Sequence, residues 1–209
     1  DVEVLGQAPI SFAGDPFQTV NPTGFNLAQI NRLFSGELLE TYDIDAQESF
    51  VYSLFNNYRS TPEIVNLANT IQFIRYKFLD HSELDRAQIS RRLSSKKIPV
   101  LIKLEKVDHK NLLEKTSLQV FISACDNGEE TDYVRNDDVL SDQVVLKSAS
   151  LSKGNEYDNV VIYKFGQSFC HEFGNNFLRQ ILSGGIEFSE LNPGLQFRLS
   201  FFFNKLYVA

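Results

Sequence analysis

An α/β fold is predicted for this chain: a mostly parallel sheet with helices on its faces. Three observations predict it. Short apolar runs alternate along the chain with stretches of helical periodicity, which is the pattern of strand–helix–strand crossovers. Polar turn residues follow or precede those runs at Gly14-Asp15-Pro16 and at Lys153-Gly154. Open α/β sheets hold ligands where a strand runs out into such a loop. Finally, 209 residues at 43% hydrophobic and 22% charged suffice for a core and argue against disorder.

The elements follow in order. Residues 9–13 read as a short buried strand that ends at the Gly14 turn. Residues 26–39 read as a helix with Leu27, Ile30, Leu33 and Phe34 on one face. The acidic stretch 42–49 reads as a loop, and 49–56 as a strand. A helix is predicted from Pro62, running as far as Phe78. Ser60 or Thr61 can cap it, Pro62 suits its first turn, and Glu63 puts a negative charge there. Ile64, Leu67, Ala68 and Ile71 make its apolar face.

Residues 80–97 are charged. Arg86, Arg91, Arg92, Lys96 and Lys97 form a basic cluster without interleaved aromatics, which favours a solvated helix face over a DNA patch. Strands are predicted at 99–104, 118–124 and 160–165, the last strongly buried. Residues 126–138 read as an exposed acidic segment, and 143–146 lead to the Lys153 loop. A helix is predicted over 169–182, broken by Gly184 and Gly185. A last amphipathic helix carries Phe197, Phe201 and Leu206.

Composition bounds the function. The net charge of −7 argues mildly against nucleic acid, although a local basic groove can sit on an acidic protein. Cys125 and Cys170 lie far apart, and His81, His109 and His171 are scattered, so no zinc spacing occurs. A reducing cytoplasm fits that cysteine usage. No apolar run is long enough to span a bilayer. No signal peptide is expected, and no metal ligand is assigned.

Three segments carry chemistry. Tyr58 and Arg59 stand just before a helix N-terminus, where backbone N–H groups point outward and suit a nucleotide. The structural alternative has Tyr58 packing and Arg59 pairing with a surface acid. Gln18 stands at a strand exit, and its amide can accept from a water and donate to a phosphate oxygen. Asp15 is expected to brace that loop. Lys153-Gly154 is either an ordinary turn or a loop that admits close backbone approach at the glycine.

In this order the three segments resemble conserved motifs of the UvrD/Rep/PcrA group of DNA helicases. Gly14-Asp15-Pro16-Phe17-Gln18-Thr19-Val20 is similar to the third motif. Asn57-Tyr58-Arg59-Ser60 is similar to the fourth, and Lys153-Gly154-Asn155-Glu156-Tyr157 to the fifth. The closing Asn204-Lys205-Leu206-Tyr207-Val208-Ala209 resembles the approach to the sixth. The resemblance implies a RecA-like (P-loop NTPase-type) fold. Residues 1–40 would be the C-terminal piece of a first RecA-like domain. Residues 41–209 would be the second motor domain, truncated at its C-terminus.

It also implies roles. Arg59 would act as an arginine finger, Tyr58 would stack on adenine, and Glu156 would accept from the ribose hydroxyl. Lys153 and Gly154 would shape that loop, and Gln18 would sense the terminal phosphate. Thr23 stands where the family has a base-stacking aromatic, with Phe25 as a substitute platform. Ser150 stands where many relatives have a DNA-contacting histidine.

The sequence also departs from the family. No G-x-x-x-x-G-K-[ST] loop occurs, and no Asp-Glu pair precedes Gly14. The ligands of Mg²⁺ would therefore lie outside this chain. The interval from Ser60 to Ser148 leaves room for a short inserted domain or none. The reading is a fragment of an ATP-dependent DNA helicase or translocase, of the kind found in DNA repair. It would act with ATP and Mg²⁺ on single-stranded or partly duplex DNA, away from membranes, and be inactive as an isolated chain. The alternative is a catalytically inactive, helicase-like binding scaffold.

Overall fold

The computed structural model describes Gly14, Asp15, Gln18, Val20, and residues 54–79, 87–102, 120–136, 140 and 144–209, without the side chains of 77–79 and 182. The chain divides into two compact units, 1–54 and 55–209. The elements predicted at 9–13, 26–39 and 42–49, most of the strand at 49–56, and the expected domain boundary near residue 40 lie outside the described residues.

The second unit is mixed α/β with parallel sheets. It begins with a β–α–β crossover: β1 (Asn56–Asn57), α1 (Pro62–Leu79) and β2 (Ile89–Ser90). Asn56 pairs with Ile89 and Asn57 with Ser90, in parallel. Parallel neighbours need a crossover, and α1 supplies it. Thr61 stands immediately before α1, and its carbonyl accepts from Val65 N at 3.0 Å. Pro62 fits the first turn because its missing N–H is not needed there.

A three-stranded parallel sheet follows in the order β4–β3–β5, with β3 (Val120–Ser123) between β4 (Val145–Ser148) and β5 (Val160–Ile162). The register pairs Val120 with Val145 and Val160. As the central strand, β3 is covered on both sides, and Phe121, Ile122 and Ser123 are buried. The short helices α2 (Glu130–Arg135) and α3 (Ala149–Ser152) lie in the connections. Then come α4 (Phe165–Phe173), α5 (Phe177–Leu182), a 3-10 turn at Phe188–Glu190, and α6 (Pro193–Val208). The Asn192 side chain caps α6 by accepting from Leu195 N at 2.9 Å.

Two apolar clusters hold this unit. One gathers Phe165, Phe169, Leu199, Phe202 and Phe203 from α4 and α6. Phe169 meets Phe202 edge to face, with ring centroids 5.3 Å apart and planes at 77°. The other joins Phe121, Leu140 and Tyr163 beside the sheet. Helix α6 also packs on α1.

Several expectations need correction. Over its described part the basic segment is not a helix: residues 91–97 run as an exposed, irregular strap beyond β2. Residues 99–102 form no strand and stay exposed. The described part of the acidic segment, 126–136, is unburied as expected, but it includes the short helix α2. Strand β5 is half exposed because it lies at a sheet edge, and burial begins only at Tyr163 and Phe165. The helix expected over 169–182 is two helices. Gly174, at φ +90°, ends α4 in a conformation that L side chains rarely adopt.

Helical faces also differ. On α1 the buried positions are Val65, Ile71, Gln72 and Arg75, while Ile64 is 48% exposed. On α6 they are Leu199, Phe202, Phe203, Asn204 and Lys205, while Phe197 is 55% exposed and stacks on Phe201. The apolar residues of α6 at Leu195, Phe197, Leu199, Phe201, Phe202, Phe203 and Leu206 are spread around the helix. Periodicity alone therefore could not select the buried face.

Candidate functional site

The site is built around the turn that joins β1 to α1. Asn57 closes that turn with its own side chain. Its Oδ1 accepts from the backbone N–H of Arg59 at 3.0 Å and of Ser60 at 2.8 Å. This is the ordinary way an Asn side chain mimics a backbone turn. It leaves Tyr58 and Arg59 projecting, with Tyr58 72% exposed.

The strap from β2 frames the same turn. Ser90 Oγ donates to the Ser60 carbonyl at 2.7 Å, and Arg92 Nη1 donates to the Arg59 carbonyl at 2.7 Å. Arg91 Nε donates to Asn56 Oδ1 at 2.8 Å. Ser94 and Ser95 hydrogen-bond the Glu63 carboxylate in the first turn of α1. The Ser94 hydroxyl, with smaller help from backbone N–H groups and Thr61, holds the Glu63 carboxyl down at about 2. Arg92 thus sits against the Arg59 backbone and Arg91 against Asn56, and Arg91, Arg92, Lys96 and Lys97 are all exposed. Arg86 lies outside the described residues.

The Lys153 loop supplies the other half. Ser148 caps α3 by accepting from Leu151 N, and Lys153 ends that helix. Glu130 accepts from Ser148 N at 3.3 Å. Burial raises its pKa, but hydrogen bonds from the Ser148 hydroxyl and from backbone N–H groups outweigh this, so the carboxyl titrates below its usual value. Gly154 has φ +82°, and a Cβ there would meet nothing within 4 Å. The backbone is thus open to close approach, and only glycine adopts that conformation without strain. Tyr157 is held by Lys147, whose Nζ donates to its hydroxyl at 3.0 Å and lies 5.1 Å from its ring centroid.

The two halves meet. Arg59 Nε lies 2.8 Å from Glu156 Oε1, and both side chains are about two-thirds exposed (67% and 70%). These residues stand far apart in the sequence and belong to segments beside different sheets; α6, which packs on both α1 and α3, joins those segments. No protein-family model, curated protein or solved structure matches the chain.

The remaining predicted residues are placed as follows. In the first unit, Gln18 Nε2 donates to Asp15 Oδ2 at 2.9 Å and Gln18 N donates to the Asp15 carbonyl at 3.1 Å. Asp15 therefore braces this loop. Ser150 is half-buried within α3. Thr23 and Phe25 lie outside the described residues. Among the described residues, no group of His, Cys, Asp or Glu is arranged to hold a metal ion. Nor is any helix there long and apolar enough to cross a membrane. A groove of about 420 Å³ lies beside α2 and β4, lined by Glu130, Thr131, Val134, Arg135, Val144 and Leu146; none of the motif residues lines it.

Sequence reasoning missed Asn57, Gln88 and Arg92 as builders of the site. Asn57 carried a signal: an Asn two residues before Arg59 and three before Ser60 suits a side-chain-closed turn. Gln88 and Arg92 carried none, because their partners lie across the crossover.

Proposed function

We propose that this chain is a fragment of an ATP-dependent DNA helicase or translocase of the UvrD/Rep type. Its second unit would be a RecA-like motor domain. One observation carries the reading: the Arg59–Glu156 contact joins the two segments that resemble the fourth and fifth motifs. Residues that share one nucleotide must converge in this way; the structural alternative accounts for the exposed ion pair of Arg59 but not for the exposed ring of Tyr58.

The exposed groups fit an adenine nucleotide. Tyr58 offers a ring face for stacking. Glu156 offers an acceptor for a ribose hydroxyl, and Gly154 offers open backbone. Arg59 offers a planar fork suited to phosphate oxygens. An exposed ion pair is worth only about 0.2–1 kcal/mol, so moving Arg59 from Glu156 to a phosphate costs little. Bound ATP with Mg²⁺ would supply the phosphoryl-transfer chemistry, its phosphate loop and metal ligands coming from outside this chain. Arg59 would stabilise charge that grows in the transition state. Ser150 would contact single-stranded or partly duplex DNA.

The test is steady-state ATPase of the whole protein with DNA saturating, alongside a thermal melt. Arg59→Ala is expected to cut kcat by about 10³-fold or more with the fold intact. Tyr58→Ala should chiefly raise KM for ATP, because stacking changes little during the reaction. A folded Arg59→Ala protein with normal kcat would overturn the reading. The second reading is a catalytically inactive, helicase-like binding scaffold. No DNA-stimulated turnover by the whole wild-type protein would support it.

A further inference from the structure

Gln88 connects two parts of the second unit that the helicase reading treats separately. Its backbone is clamped first. Gln88 N donates to Asn69 Oδ1 at 3.0 Å, and Asn69 Nδ2 donates to the Gln88 carbonyl at 2.9 Å. That fixes where the side chain starts. The side-chain amide then reaches two ways. Its Oε1 accepts from Asn57 Nδ2 at 2.9 Å, and its Nε2 donates to Tyr207 Oη at 2.7 Å.

Asn57 passes the constraint on. With its Nδ2 committed to Gln88, its Oδ1 holds the N–H groups of Arg59 and Ser60. Three side chains in series thus lead from Tyr207 in α6 to the peptide groups that carry Arg59. An amide suits each middle position, since it has a donor end and an acceptor end that cannot swap without breaking a bond. The Asn57 and Tyr207 links are both part-buried, so losing one partner leaves the next polar group poorly satisfied.

We propose that Gln88 is a positioning residue that sets the Asn57–Ser60 turn, and with it the Arg59 guanidinium, against the C-terminal end of α6. A change at Tyr207 is then felt at Arg59, and the reverse. What Arg59 acts on rests on the helicase reading; the coupling between the two ends does not.

The decisive variant is Tyr207→Phe, which removes one hydroxyl from a half-buried ring. The first readout is NMR of the 209-residue chain: the backbone amides of Arg59 and Ser60 and the Arg59 Nε–Hε signal. Tyr207→Phe and Gln88→Ala are expected to shift these signals in the same direction. The double variant should shift them no further than Gln88→Ala alone, since one path carries both effects. Gln88→Glu keeps an acceptor for Asn57 and should return the Ser60 amide towards its wild-type position. In the whole protein, Gln88→Ala should lower kcat about tenfold and leave KM for ATP within about twofold. Wild-type Arg59 and Ser60 signals in folded Tyr207→Phe would overturn the coupling, whatever the ATPase shows. An absent ATPase in the wild-type protein would instead sink the helicase reading, and the NMR result would still decide the role of Gln88.

Discussion

The turn at Asn57–Ser60 and the aromatic cluster between α4 and α6 are held by opposite means. The turn is exposed and polar, fixed by side chains that hydrogen-bond to main-chain atoms from Asn57, Ser90 and Arg92. The cluster is buried and apolar, fixed by Phe169, Phe202 and Phe203 packing edge to face or tilted. Directional bonds specify where a guanidinium points but contribute modestly to stability, about 0.5–1.5 kcal/mol each. Burial contributes more and specifies less. Substitutions in the cluster should therefore act on stability, and substitutions around the turn on where Tyr58 and Arg59 project.

Phe202→Ala is expected to give the largest effect on stability. Phe202 is 4% exposed and touches the rings of Phe165, Phe169 and Phe173. The loss should be about 3–5 kcal/mol in urea unfolding followed by circular dichroism. A loss under about 1 kcal/mol would break the contrast, because the cluster would not be what holds this unit.

Lys205→Met comes next and tests whether one polar contact anchors the cluster. Lys205 side-chain exposure is only 10%, and its Nζ donates to the Ala124 carbonyl at 3.0 Å and to Asp126. Met keeps the stem and takes the donor from the Ala124 carbonyl, while the 67%-exposed Asp126 carboxylate turns to water, so a loss of about 1–3 kcal/mol is expected in the same assay. A neutral result would mean that packing of the stem is all that matters there.

Gly154→Ala should cost about 1 kcal/mol. The cause is backbone strain at φ +82° and not a clash, since the space beside the glycine is open. The D-alanine analogue, made by semisynthesis, relieves that strain and should melt at or above the wild type. If both alanines destabilise equally, the conformation of Gly154 is not the reason for the glycine.

The smallest effect concerns pH. The Glu63 carboxyl is lowered from 4.5 to about 2, chiefly by Ser94. A depressed carboxylate contributes stability that is fully present above about pH 4.5 and is lost as pH falls towards 2. NMR titration of the Glu63 carboxyl should place its midpoint well below that of Glu63 in Ser94→Ala. Equal midpoints would show that the strap does not hold this side chain.

The sequence alone determined much of this layout. Alternating apolar runs and helical periods fixed a parallel α/β design, and Pro62 and Glu63 marked the start of α1. Asn57-Tyr58-Arg59-Ser60 and Lys153-Gly154-Asn155-Glu156 marked the two turns that meet at the Arg59–Glu156 ion pair, because turn residues act through their own backbone. Tertiary structure decided what local pattern leaves open. It chose Leu199 and Phe202 over Phe197 as the buried face of α6, since the apolar residues there encircle the helix. It drew residues 91–97 out as a strap, because Ser90, Arg92 and Ser94 find acceptors on the turn and on α1 that no local window contains. It also set Arg59 beside Glu156 and Gln88 between Asn57 and Tyr207. Those contacts depend on which strands pair and which helix faces meet, and a short window of sequence specifies neither.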